Sequence, residues 1–181
     1  MQAIGFAHPK RTVEALSIAR GSAVADFGAG SGHYALSLAE EVGADGTVYA
    51  IDVQVDLLSR IKNEAHRKGY KNIHCIHGDI ERMSGSKLRA RSVDVVVMSN
   101  VLFQLSEPLN AFSEARRILK LDGRLVVIDW VISGASGRLG PAKDTHYSKQ
   151  KALADARASH FEYVGEFDAG EHHYGLVCIP V

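Results

Sequence analysis

An aspartate followed by three glycines at alternate positions is the most chemically suggestive run in this chain. It reads Val24-Ala25-Asp26-Phe27-Gly28-Ala29-Gly30-Ser31-Gly32-His33. A short apolar segment ends in the acid, and a helical pattern begins at Tyr34. Glycine has no Cβ, so the backbone can bend sharply and approach a ligand closely. The N–H groups at the start of the following helix aim at the same place. This is a cradle at the carboxyl end of a strand, where open α/β sheets bind ligands. Other polar residues fall at the same edge. Asp52 closes a second apolar segment, 20 residues after Gly32, and its carboxylate can accept two hydrogen bonds from a ribose diol. Its other reading is an acidic N-cap for the next helix. Gly78-Asp79-Ile80 follows a third segment and Asn100 a fourth. Alone, Gly-Asp is a turn signal, and Asn a helix start.

The glycine spacing discriminates between cofactors. Dinucleotide folds use G-x-G-x-x-G with a pyrophosphate on the helix N-terminus. Here the pattern is G-x-G-x-G after an acid. From Asp26 to Gly32 it resembles, at every position, motif I of class I S-adenosylmethionine-dependent methyltransferases, D/E-x-G-x-G-x-G. The resemblance runs from about Phe6 to the end of the chain. It includes Leu119-Lys120-Leu121-Asp122-Gly123, similar to the "LKPGG" turn of small-molecule and quinone-type members, with Leu121 for Pro and Asp122 for Gly.

The resemblance implies S-adenosylmethionine as cofactor, held by the loop Asp26, Gly28, Ala29, Gly30, Ser31 and Gly32. It implies that Asp52 binds the ribose and that Val53 packs against the adenine. Asp79 would accept from the adenine exocyclic amine while the Ile80 N–H reaches a ring nitrogen. Asn100 would contact the methionine part, and Asp26 would act through the loop, on backbone or water near the amino group.

The elements that must position these residues alternate. Helical patterns cover residues 13–20, 34–42, 55–68, 109–119 and 148–159, with Gly69 as a C-terminal stop and Pro108 near a helix start. Strand-like runs cover 23–27, 47–51, 73–77, 93–99, 124–130, 161–167 and 174–179. The 93–99 run reads as a central strand buried on both faces. Glycine-rich turns fall at 43–46 and 134–140, and 121–123 reads as the turn before the fifth strand. Strand–helix alternation gives a mainly parallel sheet with helices on both faces. The last two strands are joined by a short connection and must be antiparallel. The expected fold is a Rossmann-like three-layer α/β/α sandwich, with residues 1–181 as a single domain. The resemblance supplies the order of its seven-stranded sheet, 3-2-1-4-5-7-6 with an antiparallel last strand.

The chain has 181 residues, 46% of them hydrophobic, enough for one core. Its 21 basic and 21 acidic residues cancel, so no global field draws it to nucleic acid or anionic membrane. No apolar run reaches the ~20 residues of a membrane helix, and the N-terminus lacks a signal-peptide core. Cys75 and Cys178 lie in apolar strand-like runs and read as small core residues. These features point to the cytoplasm. No metal site is expected: His74 and His77 point to opposite faces of a strand, and His172-His173 reads as surface polarity in the last connection.

Methyl transfer needs alignment and exclusion of water, and a base only if the acceptor must lose a proton. Acceptor-side candidates at the sheet edge are His33, Asn100, Phe103, Gln104, Asp129, Trp130, His146 and Tyr147. His146, Asp129 and Gln104 are the candidates for catalysis, His146 for its titration range. The segment after the fourth strand, Ser99-Asn100-Val101-Leu102, lacks the Asn-Pro-Pro-Tyr run of many nucleic-acid and protein-glutamine methylases and leans to a small-molecule acceptor. An arsenic methylase lacks its acceptor-binding thiols here. Phe6-Ala7-His8-Pro9 and the glycine-rich loop are expected to fold over the site, and a homodimer partner is another way to complete it. Three readings compete with the small-molecule enzyme. They are a non-catalytic or regulatory subunit that keeps the cofactor site, an NAD-linked oxidoreductase, and a nucleic-acid or protein methyltransferase.

Overall fold

A computed structural model describes residues 8–131 and 146–181. The elements follow in the order α1 (Pro9–Ala15), β1 (Ala23–Phe27), α2 (His33–Val42), β2 (Thr47–Asp52), α3 (Val55–Lys68), β3 (Ile73–His77), β4 (Val93–Ser99), a 3-10 turn (Leu102–Gln104), α4 (Pro108–Ile118), β5 (Leu119–Trp130), α5 (Lys149–Ala158), β6 (Phe161–Phe167) and β7 (His173–Pro180). Seven strands form one sheet in the order β3-β2-β1-β4-β5-β7-β6. The first five are parallel, and β7 runs antiparallel to both β5 and β6.

The alternation of side chains along each strand divides the core into two layers. Ala25, Phe27, Val96, Met98, Leu125 and Val127 face α4 and α5, meeting Phe112, Ala115 and Ala152. Val24, Val48, Ala50, Val95, Val97 and Val126 face α1, α2 and α3, meeting Val13, Leu38 and Ile61. Asp26 shares the parity of Val24 and so points to the α2 side. Gly69 closes α3 in the left-handed region at φ 78°, where Tyr70 N–H reaches the Ala65 carbonyl.

The first helix and the 121–123 turn differ from the sequence reading. The first helix begins earlier, with Pro9 in its first turn, and ends at Ala15; Ser17 at φ 47° cannot continue it. Arg124 from β5 then takes the Leu16 and Ser17 carbonyls. The 93–99 run forms the central strand β4, and its one acid, Asp94, accepts from Lys120 Nζ at 2.6 Å and from the Ala23 N–H at 2.8 Å. The 121–123 turn lies inside β5: Val93 pairs with Leu119, then Val95 with Arg124, so residues 120–123 bulge opposite one residue of β4. The glycine-rich 134–140 segment lies outside the described residues.

Candidate active site

The β1–α2 loop holds Gly28, Gly30 and Gly32 at φ 70°, 52° and 81°. At Gly28 a Cβ would lie 2.4 Å from Val101 Cγ2, and at Gly32 one would lie 2.5 Å from Ile61 Cγ1. The glycines therefore let the loop seat against the residues after β4 and against α3, in backbone conformations that side chains resist. The loop spends its own N–H groups internally. Gly28 and Ala29 donate to the Ile51 carbonyl, Gly30 to Asp52 Oδ2 and Gly32 to the Ala29 carbonyl. In the first turn of α2 the Ala35 N–H goes to Asp26 and the Leu36 N–H to the Gly32 carbonyl.

Two cavities flank this loop and share Gly28, Gly30 and Gln104. The smaller, of about 270 Å³, is lined by Asp52, Val53, Asp79 and Ile80. Asp52 is 7% exposed; its Oδ2 accepts from Gly30 N and its Oδ1 from Gln54 N, both at 2.8 Å. Gln54, not Asp52, is the N-cap of α3, and the acid bridges the glycine loop and the start of α3, with further lone pairs on each oxygen. Asp79 accepts from the Glu81 N–H at 3.0 Å and from Arg82 Nε at 2.9 Å. Val53 is 56% exposed, an apolar side chain at the cavity wall.

The larger cavity, of about 480 Å³, is lined by Asp26, Ala29, Ser31, His33, Asn100 and Trp130, with Tyr34, His173, His8 and Pro9 closing it. Asp26 Oδ2, the Tyr34 hydroxyl and Asn100 Oδ1 are buried without a hydrogen-bond partner among the described residues. Burial, then the nearby Asp52 charge, pushes Asp26 up to about 7, against a hydrogen bond from the Ala35 N–H. Asn100 sits at φ 53°, its amide 3.5 Å from Ser99 Oγ, while its carbonyl accepts from Gln104 Nε2 at 2.7 Å.

Most sequence-picked positions meet at these two cavities, with instructive exceptions. Gly32 lines neither and acts by fixing the loop. Gln104 lies at the junction. Asp129 faces away: its neighbour Trp130 takes the cavity side of β5, and alternation turns the carboxylate inward. There it accepts from the N–H groups of Trp130 and Leu102, and burial raises it to about 7. Tyr147 is 5% exposed and donates to Asp155, so it belongs to the core beside α5. Phe103 packs against that core. His146 is outside the described lining of both cavities; burial lowers its pKa and its Nδ1 has no partner among the described residues.

His173 was missed. It is not surface polarity but the first residue of β7, 6% exposed and stacked on Trp130 at 4.3 Å between ring centroids. Only the antiparallel register, which sets Trp130 opposite His173, brings it to the cavity. Tyr34 was read as a helix start, although an aromatic hydroxyl two residues after the last glycine could have been suspected.

A parallel sheet closed by an antiparallel hairpin, with an acidic glycine cradle after β1 and an acid ending β2, defines the class I methyltransferase fold. The family model described as "Methyltransferase domain" matches residues 18–169, and the chain belongs to that family. It is similar to an arsenite methyltransferase from Aquipseudomonas alcaligenes, 34% identical over 113 residues, covering 60% of this chain and 33% of that protein. A demethylmenaquinone methyltransferase from Listeria welshimeri is 25% identical over 120 residues, covering 66% and 50%. The chain thus spans about a third to a half of the length of these relatives. Among solved structures, a SAM dependent methyltransferase from Aquifex aeolicus superposes with a TM-score of 0.86 at 26% identity, covering 96% of this chain and 89% of that one.

Proposed function

We propose that this chain binds S-adenosylmethionine across the two cavities and transfers its methyl group to a small-molecule acceptor. The observation that carries the reading is the division of the cleft at Gly28 and Gly30. One side offers carboxylates held by backbone N–H groups, suited to a nucleoside. The other offers buried polar atoms without partners, suited to an amino-acid end and an acceptor. The combined size falls in the ordinary range for a small-molecule site, roughly 300–1,000 Å³.

Asp52 takes the ribose hydroxyls, with Gly30 and Gln54 N–H groups fixing its carboxylate. Asp79 and the Ile80 N–H read the adenine edge, and Val53 covers one face. Asp26 and Asn100 serve the amino-acid end. When bound, S-adenosylmethionine supplies a methyl group already activated on a sulfonium. The chain's task is to orient the acceptor and keep water out, to which His8 and Pro9 contribute from the mouth of the larger cavity.

A small-molecule acceptor accords with the balanced charge and with the arsenite and demethylmenaquinone relatives. Cys75 and Cys178 are unpaired thiols that line neither cavity, which supports neither an arsenic-binding thiol set nor an oxidising compartment. No helix among the described residues is long and apolar enough to cross a membrane. The reading is of a single-domain cytoplasmic enzyme, with a second copy of the chain as the candidate to complete its acceptor side.

Parallel calorimetric titrations with S-adenosylmethionine, S-adenosylhomocysteine and NAD test it. Binding of both adenosyl ligands without NAD is expected, followed by transfer of labelled methyl into low-molecular-weight products. Failure of both adenosyl ligands to bind overturns the reading. Binding without transfer to any small molecule moves the regulatory-subunit reading ahead.

A further inference from the structure

The larger cavity contains a pair that cofactor binding does not use. Trp130 and His173 face each other across the β5–β7 ladder, with their rings tilted by 38°. Both line the cavity wall. Neither ring nitrogen of His173 has a hydrogen-bond partner among the described residues, although the residue is buried. A histidine kept only for packing would normally bond at least one nitrogen to a carbonyl or carboxylate, because an unpaired buried polar group is a standing cost. Its backbone is fixed: His173 N donates to the Gly170 carbonyl, and Val131 N to the His172 carbonyl.

We propose that His173 and Trp130 form the acceptor subsite, and that it takes a planar, hydroxyl-bearing acceptor, a phenol or enol, whose O–H donates to the His173 imidazole. This rests on the methyltransferase reading above and names its substrate class. The indole offers an apolar face for a flat ring. A neutral imidazole has one donor and one acceptor nitrogen, and a hydroxyl can donate to the acceptor. Burial, with His172 beside it, lowers the His173 pKa to about 4, so the ring is neutral near pH 7.

So weak a base suits this reaction. It leaves a phenol protonated in the ground state. As the acceptor oxygen bonds to the methyl carbon, the methyl–sulfur bond breaks with its pair remaining on sulfur, and the O–H becomes strongly acidic. The proton passes to the acceptor nitrogen of His173. The products are a neutral ether and thioether and an imidazolium, which releases its proton to water.

Trp130 is the single tryptophan of the chain, so its emission reports on the subsite. The test titrates 4-nitrophenol and nitrobenzene, which lacks the hydroxyl, into the protein with S-adenosylhomocysteine present, in mildly acidic buffer. 4-Nitrophenol should quench Trp130 with an affinity about tenfold above nitrobenzene. In His173→Phe the two should converge, while calorimetric affinity for S-adenosylhomocysteine stays unchanged. Equal affinities in the wild-type chain, or no quenching by either, overturn the subsite; this comparison decides even if His173→Phe does not fold. A preference for 4-nitrophenol that survives in a folded His173→Phe overturns the role of the imidazole. Loss of S-adenosylhomocysteine binding by the wild-type chain is a different failure, that of the methyltransferase reading, and leaves the quenching comparison to be read in its absence.

Discussion

Asp26 and Asp52 end neighbouring strands, yet the molecule treats them in opposite ways. Asp52 has a backbone N–H on each oxygen before any ligand arrives. Asp26 is 1% exposed with Oδ2 unpartnered. The contrast extends to the whole of each cavity. On the nucleoside side Asp79 is likewise held by Glu81 and Arg82. Around the larger cavity the Tyr34 hydroxyl, Asn100 Oδ1 and both His173 ring nitrogens have no hydrogen-bond partner among the described residues. A fourth carboxylate shows that burial alone is not the cause. Glu114 is 2% exposed, and burial pushes its pKa up, but hydrogen bonds from Arg117, Ser86 and the Ser84 N–H outweigh that and hold it below the usual range. The fold satisfies Glu114 and Asp52, whereas the larger cavity keeps buried polar atoms without partners among the described residues.

The largest effect should come where the two cavities join. Gly28→Ala sets a Cβ against Val101 in a left-handed backbone and should cost about 2–5 kcal/mol in denaturant unfolding, abolishing both S-adenosylhomocysteine binding and Trp130 quenching. Loss of only one would mean that the halves are not coupled through the loop.

Titration should separate the halves next. Asp26 and Asp129 are both raised from 3.8 to about 7 in the folded chain. An acid whose folded pKa is raised contributes stability that is fully present below its unfolded pKa and lost as pH rises through the folded one. Between about pH 4 and pH 7 each should remove at most about 4 kcal/mol. Asp26→Asn should flatten about half of that fall in melting temperature against pH. In the wild-type chain, affinity for S-adenosylhomocysteine should rise with pH through about 7 as its ammonium favours ionised Asp26. An unchanged pH profile in Asp26→Asn would remove the contrast with Asp52.

Asp52→Ala should weaken S-adenosylhomocysteine by about 1–3 kcal/mol in calorimetry, through lost charged hydrogen bonds. The ratio of 4-nitrophenol to nitrobenzene affinity should stay the same. The smallest effect belongs to Arg82→Ala. Its side chain is 81% exposed, so the pair with Asp79 is an open surface contact. Affinity for the adenosyl ligand should change by no more than about twofold. A larger loss would make Arg82 part of the nucleoside site.

That Asp52 and Asp79 meet in one cavity was legible because the determinants are local. Each acid stands within two residues of a strand end and binds backbone just ahead, Asp52 to Gln54 and Asp79 to Glu81. The glycine spacing encodes the loop, and apolar periodicity encodes the strands, so type and position can be read along the chain. The family resemblance supplied the strand order. Tertiary structure alone decided the acceptor half. Side-chain alternation sent Trp130 to the cavity and Asp129 to the core, and the β5–β7 register set His173 against Trp130. The protonation of Asp26 was also outside the sequence, since it follows from desolvation and the approach of Asp52. Sequence specifies what each segment can do with its own backbone; which buried groups are left without partners depends on where distant segments pack.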